Sequence, residues 1–117
     1  MKENVILEKS YKFAVRIINL YLYLKDKKEF ELGNQILRSG TSIGSNVEEA
    51  IGGYSRKDFS AKLGIAYREA RETSFRLRLL HDTGFIDSKL FNSLFEDCEE
   101  ILKILGSIQK TLKTSNS

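Results

Sequence analysis

The chain has 117 residues, 41% of them hydrophobic and 30% charged, which is enough apolar material for one core and enough charge to cover it; wholesale disorder and a second core are excluded. One cysteine and one histidine exclude a disulfide framework, a cysteine-rich metal site and a histidine metal cluster within the chain. The formal charge of +3 is unevenly spread: seven basic against three acidic residues over 1–28, one against four over 29–53, and seven against three over 56–78.

The longest uninterrupted apolar run, "LYLYL" at Leu20 to Leu24, falls far short of the ~20 residues of a membrane span, so neither a membrane helix nor a signal peptide is expected. A cytoplasmic location is the expectation. Over 4–26, Ile6, Phe13, Ile17, Leu20 and Leu24 recur at helical spacing with Ser10 as the polar member of the face. Lys9, Lys12 and Arg16 share another face, and Leu7, Ala14, Ile18 and Tyr21 run beside the apolar seam. "KDKKEFE" interrupts the pattern, and Glu29 and Glu31 suit the positive start of a following helix.

Over 32–52 the same alternation of three and four passes through Ile36, Gly40, Ile43, Val47 and Ala50, which places glycines on the inward face. Each interior glycine costs a helix ~1 kcal/mol relative to alanine, a cost offset where Gly40 and Gly44 let a neighbouring helix come close. A phosphate loop is the competing reading, but that pattern needs Lys-Ser/Thr after the second glycine, and Ser45 and Asn46 follow Gly44 instead. Arg38, Ser42, Ser45, Asn46 and Glu49 form a small polar stripe that is expected to make, with Glu72, a mutually satisfied structural network. "GGY" at Gly52 to Tyr54 is a stop signal with glycine at the cap.

Ser55 with Asp58 resembles a capping box and opens a helix over 56–83. Phe59, Leu63, Ala66, Ala70, Thr73, Leu77 and Leu80 form its seam, while Lys57, Arg68, Arg71 and Arg78 align on a separate stripe with Phe75 among them. Pairs such as Asp58/Lys62, Arg68/Glu72 and Glu72/Arg76 are placed to neutralise part of the positive field. "HDTGFIDS" ends this helix, and Asp87 or Ser88 caps the next, over 88–113, whose seam is Phe91, Leu94, Cys98, Ile101, Leu105, Ile108 and Leu112. The tail "TSNS" is expected to fray.

Four amphipathic helices with short connections predict a single all-α domain over 1–117, an antiparallel up-down-up-down four-helix bundle. Leu7, Ala14, Ile18 and Tyr21 on the first helix, with Phe95 and Leu102 on the fourth, exceed what one bundle position requires. They are the interface candidates of an expected homo-oligomer.

Chemistry is sparse. Cys98 sits where an aliphatic seam residue would serve, and Glu96, Asp97, Glu99 and Glu100 lie opposite that seam as a solvated face. Bundle metal sites need inward Glu-x-x-His motifs, which the sequence lacks. No enzymatic role, metal or cofactor is expected.

"FELGNQILRSGTSIGSNVEEA" at Phe30 to Ala50, "RKDFSAKLGIAYREARET" at Arg56 to Thr73 and "GFID" at Gly84 to Asp87 resemble the bacterial four-helix-bundle proteins encoded by intervening sequences of 23S ribosomal RNA genes, often labelled S23 ribosomal protein. Glu48 departs from the small residue that the family pattern has before Glu49. The family includes the accessory variability determinant of diversity-generating retroelements, so the resemblance implies a homopentamer and, as partners, RNA and a reverse transcriptase. The candidate phosphate contacts are then Lys9, Lys12, Arg16, Lys57, Lys62, Arg68, Arg71, Arg76 and Arg78 on the first and third helices. The alternative is a protein-interaction module whose basic face docks an acidic partner.

Overall fold

The computed structural model describes residues 2–115, with side chains from 5 to 114. Four helices follow in order: α1 (Lys2–Asp26), α2 (Phe30–Ile51), α3 (Arg56–Asp82) and α4 (Ser88–Ser115). Each packs on its chain neighbours and α4 returns to α1, while the backbones of the diagonal pairs stay apart among the described residues, so the helices form an antiparallel square. The molecule is a rod of 48 × 21 × 20 Å. Of the tail expected to fray, Thr114 and Ser115 extend α4, and the last two residues lie outside the described ones.

Local chemistry sets the helix ends. The Glu29 carboxylate accepts the Leu32 N–H at 3.0 Å, the Ser55 hydroxyl accepts the Asp58 N–H at 3.0 Å, and the Asp87 carboxylate accepts the Leu90 N–H at 2.8 Å. Gly52 caps α2 at φ −85°, so its left-handed freedom is unused there. That freedom is used at Gly84, whose φ of +85° lets Phe85 donate back to the Leu80 carbonyl at 2.9 Å and seal the end of α3. Lys28 does the same job after α1 at φ 63°, without glycine's ease.

The seams meet in one core. Phe13, Ile17 and Leu24 of α1, Ile36 and Ile43 of α2, Leu63, Leu77 and Leu80 of α3, and Leu94, Ile101 and Leu105 of α4 are all essentially excluded from solvent. Ile86, in the connection between α3 and α4, joins them. Cys98 is part of this packing: burial pushes its thiol up to about 12, and the thiol donates to the Ala70 carbonyl at 3.4 Å. Buried polar atoms are satisfied. Thr73 Oγ1 lies 2.9 Å from Ser39 Oγ and 2.8 Å from the Glu69 carbonyl, and Ser10 Oγ donates to the Leu7 carbonyl at 3.2 Å.

The glycines of α2 face α1. A methyl group at Gly40 would lie 2.7 Å from both γ-carbons of Ile17, and one at Gly44 would lie 3.2 Å from the Ser10 carbonyl oxygen. A side chain at Gly40 would therefore collide with Ile17 and one at Gly44 would press on the α1 backbone, and the stretch from Gly40 is helix, not a loop. Ile17 is fully buried and β-branched, so it cannot turn aside. Gly40→Ala is expected to lose about 1–2 kcal/mol of stability, because overpacking at about 1–3 kcal/mol outweighs the helix-propensity gain. At Gly106 the same methyl would meet only Tyr67 at 3.7 Å. Gly106→Ala is expected to gain up to about 1 kcal/mol. Denaturant melts of the two variants check the opposite signs.

Candidate nucleic-acid interface

The nine basic candidates do not form one surface. On α1, Arg16 Nη1 contacts the Asp97 carboxylate at 2.6 Å and Nη2 donates to Ser93 Oγ at 2.9 Å, while Lys9 reaches Glu100 at 2.7 Å. Both close the side of the square between α1 and α4. Lys12 pairs with Glu8 at 2.7 Å within α1. The neighbouring charges lower the Glu8 carboxyl and raise the Lys9 ammonium relative to their ordinary values, through Lys12 and Glu100 respectively. Asp97 and Glu100 are thus clasps toward α1, a correction to their reading as a purely solvated face.

On α3, Lys62 turns to Glu49 of α2 at 3.1 Å instead of to Asp58, and Arg76 pairs with Glu72 at 3.3 Å. Among the described residues, Lys57, Arg68, Arg71 and Arg78 have no carboxylate within 4 Å. Arg68, Arg71, Phe75 and Arg78 are exposed at steps of three and four along the outward side of α3, and Lys57 lies on the same side about three turns before Arg68. From Lys57 to Arg78 the stripe runs roughly 30 Å. Of the nine candidates, the four left without a carboxylate therefore all lie on α3, because α4 engages Lys9 and Arg16 and Glu8 engages Lys12.

The expected polar network also divides. Ser42 and Asn46 donate to their own helix at the Arg38 and Ser42 carbonyls, at 2.6 and 2.8 Å, and Ser45 Oγ donates to the Ser42 carbonyl at 3.2 Å. Glu49 is exposed and faces Lys62. Arg38 crosses to α3, where its guanidinium lies 3.4 Å from Glu69 and 3.6 Å from Glu72. Glu69, which the seam pattern did not single out, is the largely buried member of this cluster. Burial, then its hydrogen bond and repulsion with Glu72, holds the Glu69 carboxyl above the ordinary range, while that same hydrogen bond, with Arg76 and Arg38, holds Glu72 below it.

The six interface candidates fall on two surfaces. Ile18 is exposed on α1, whereas Leu7, Ala14 and Tyr21 are half-buried toward α2. Phe95 and Leu102 face α3 and, with Phe75, line a groove there. The more exposed α1 ridge is Ile18 with Tyr11, Val15 and Leu22, three residues that the seam reading passed over because they lie opposite the core face. Glu48 points to solvent, so its departure from the small residue of the family pattern disturbs no packing. No helix among the described residues is long and apolar enough to cross a membrane.

The sequence profile of the 23S rRNA-intervening sequence proteins matches residues 2–107. The chain belongs to that family. It is similar to a crystal structure of a protein of unknown function from the S23 ribosomal protein family of Bacteroides thetaiotaomicron, at 51% identity and TM-score 0.91, over 94% of this chain and 99% of that one. No curated protein matches. In this member of the family, the surface features that stand out are the α3 stripe, the α1 ridge and the groove between α3 and α4.

The paired carboxylates give a pH signature of known sign. Charged Glu69 is disfavoured by the fold, so its penalty is absent at low pH and grows as pH rises through its raised value. Glu69→Gln is therefore expected to raise the melting temperature at neutral and alkaline pH, with the gain fading below the ordinary carboxylate range. Glu72 has the opposite sign: its stabilisation is lost on acidification, and Glu72→Gln is expected to lower the melting temperature at neutral and alkaline pH but not in acid. Thermal melts across pH read both.

Proposed function

We propose that this protein is a non-enzymatic, self-associating accessory protein that binds RNA through the outward face of α3. The observation that carries the reading is the stripe of Lys57, Arg68, Arg71 and Arg78, four cations without a carboxylate partner in reach among the described residues, beside a core fully used for packing. Spaced charges of this kind suit phosphates, and they confer affinity with little sequence selectivity. The ridge of Tyr11, Val15, Ile18 and Leu22 supports self-association, since an apolar band on a lone bundle is a typical contact surface. Five copies, and a reverse transcriptase as protein partner, are what the family resemblance implies.

If each stripe residue neutralises one phosphate, log affinity for single strands falls with log salt at a slope of about −2.8. Charge reversal at Arg68, Arg71 and Arg78 is expected to abolish retention in a filter-binding titration, while Lys12→Gln, on the clasped α1 face, leaves it within about twofold. Salt-independent retention, or equal loss in both variants, refutes the assignment to α3. Recovery of one acidic protein after nuclease treatment, with no RNA bound by the pure protein, selects the interaction-module alternative. Ile18→Glu combined with Leu22→Glu is expected to yield monomers by light scattering without loss of helix content.

A further inference from the structure

Between α3 and α4 lies a groove of about 570 Å³, within the size range of small-ligand clefts. Its walls combine Phe75, Phe95 and Leu102 with Arg71 and Arg78, and the carboxylates of Glu72 and Glu99 line it as well. Phe75 is 52% exposed, an unusual position for a phenylalanine on an otherwise basic stripe. The Arg78 guanidinium lies 5.7 Å from the centre of its ring. Phe95 is held from behind: it stacks on Phe91 at 5.0 Å, which stacks on His81 at 4.5 Å. His81 is tied in turn to Ser88 Oγ at 3.0 Å.

We propose that this groove receives an unstacked nucleobase, so that the ligand of the α3 face is single-stranded RNA and not a duplex. The inference rests on the RNA-binding reading above and names its ligand class. Charge complementarity selects the occupant. Arg71 and Arg78 stand one helical turn to either side of Phe75, free of carboxylates among the described residues, and so are placed for the phosphates that flank one base. Aromatic faces accept any base, and this stacking with backbone cations is how sequence-tolerant single-strand binding is built. Glu72 and Glu99 in the lining repel phosphate but accept hydrogen bonds from exocyclic amino groups, which sends the base inward and the backbone outward. A duplex keeps its bases stacked, and its deep, narrow A-form major groove admits no side chain.

The test uses the full chain, a labelled unstructured RNA of about a dozen nucleotides carrying one 2-aminopurine, and the same RNA annealed to its complement. The single strand is expected to bind at least tenfold tighter than the duplex, with the 2-aminopurine emission rising on binding as the probe leaves its neighbouring bases. Phe75→Ala is expected to weaken single-strand binding about fivefold or more, the low end of base stacking on an aromatic ring, without changing the salt slope. Phe75→Tyr is expected to retain it. Equal binding of both RNAs with Phe75→Ala silent overturns the inference while leaving RNA binding intact. Absence of any salt-sensitive binding overturns both. Dissociation of the assembly by Phe75→Ala, or preferential binding of an acidic peptide, shows that another copy or a protein fills the groove and likewise overturns it.

Discussion

The close approach of α1 and α2 is the constraint on which the rest of the structure depends. Gly40 lies against Ile17 at a separation that excludes even a methyl group, and Gly44 lies so near the Ser10 carbonyl that a methyl group would be tight. Because α2 is short of side chains on that side, it sinks toward α1 and brings Ile36, Ile43 and Val47 into a core they share with the other three helices. The polar residues of the same stretch do not oppose this. Thr41 and Ser42 return their hydroxyls to carbonyls one turn back, at 2.7 and 2.6 Å, so a segment that reads as loop-like in composition is a satisfied helix.

Charge follows from that packing. With α1 drawn to α2, its opposite flank meets α4 less closely, and polar clasps bridge the gap: Arg16 to Asp97 and Ser93, Lys9 to Glu100. Such half-exposed pairs contribute little stability each. Their consequence is one of allocation. Acidic residues of α4 occupy Lys9 and Arg16, Glu8 occupies Lys12, Glu49 occupies Lys62, and Glu72 occupies Arg76, so among the nine candidates only the outward stripe of α3 is left without carboxylates.

The fold was legible in the sequence because burial leaves a period. Residues spaced by three and four, from Ile6 to Leu24 and again in each later segment, are the residues found inside, and caps at Glu29, Ser55 and Asp87 stand where the sequence signals them. Surfaces were less legible, for a physical reason. A helical wheel shows which residues share a face but not what the facing helix carries. Lys9, Lys12 and Arg16 looked as available as Arg68 and Arg71 until Glu100 and Asp97 were found opposite two of them. Ile18 and Phe95 looked like parts of one band until the square placed them on separate sides. Glu69 carries no periodic signature, because a buried carboxylate on a flank breaks the pattern that marks the core. Ser39 and Ile86 are similar cases, set inside by a neighbour on α3 and by a turn sealed at Gly84.

The square arrangement also bears on whether self-association and RNA binding are compatible. Tyr11, Val15, Ile18 and Leu22 point away from the core on α1, and Lys57, Arg68, Arg71 and Arg78 point away from it on α3. Since α1 and α3 sit at opposite corners, their outward faces look in opposite directions. Copies that meet through α1 would leave every α3 stripe turned to solvent, and one RNA could then engage several stripes. Four cations on one chain make a modest binding site. Linked copies convert the later contacts into intramolecular ones, raising affinity without any new chemistry in the protomer. Under the proposed function, a small net charge of +3 per bundle would not preclude strong polyanion binding, provided the apolar ridge and the basic stripe remain on opposite corners.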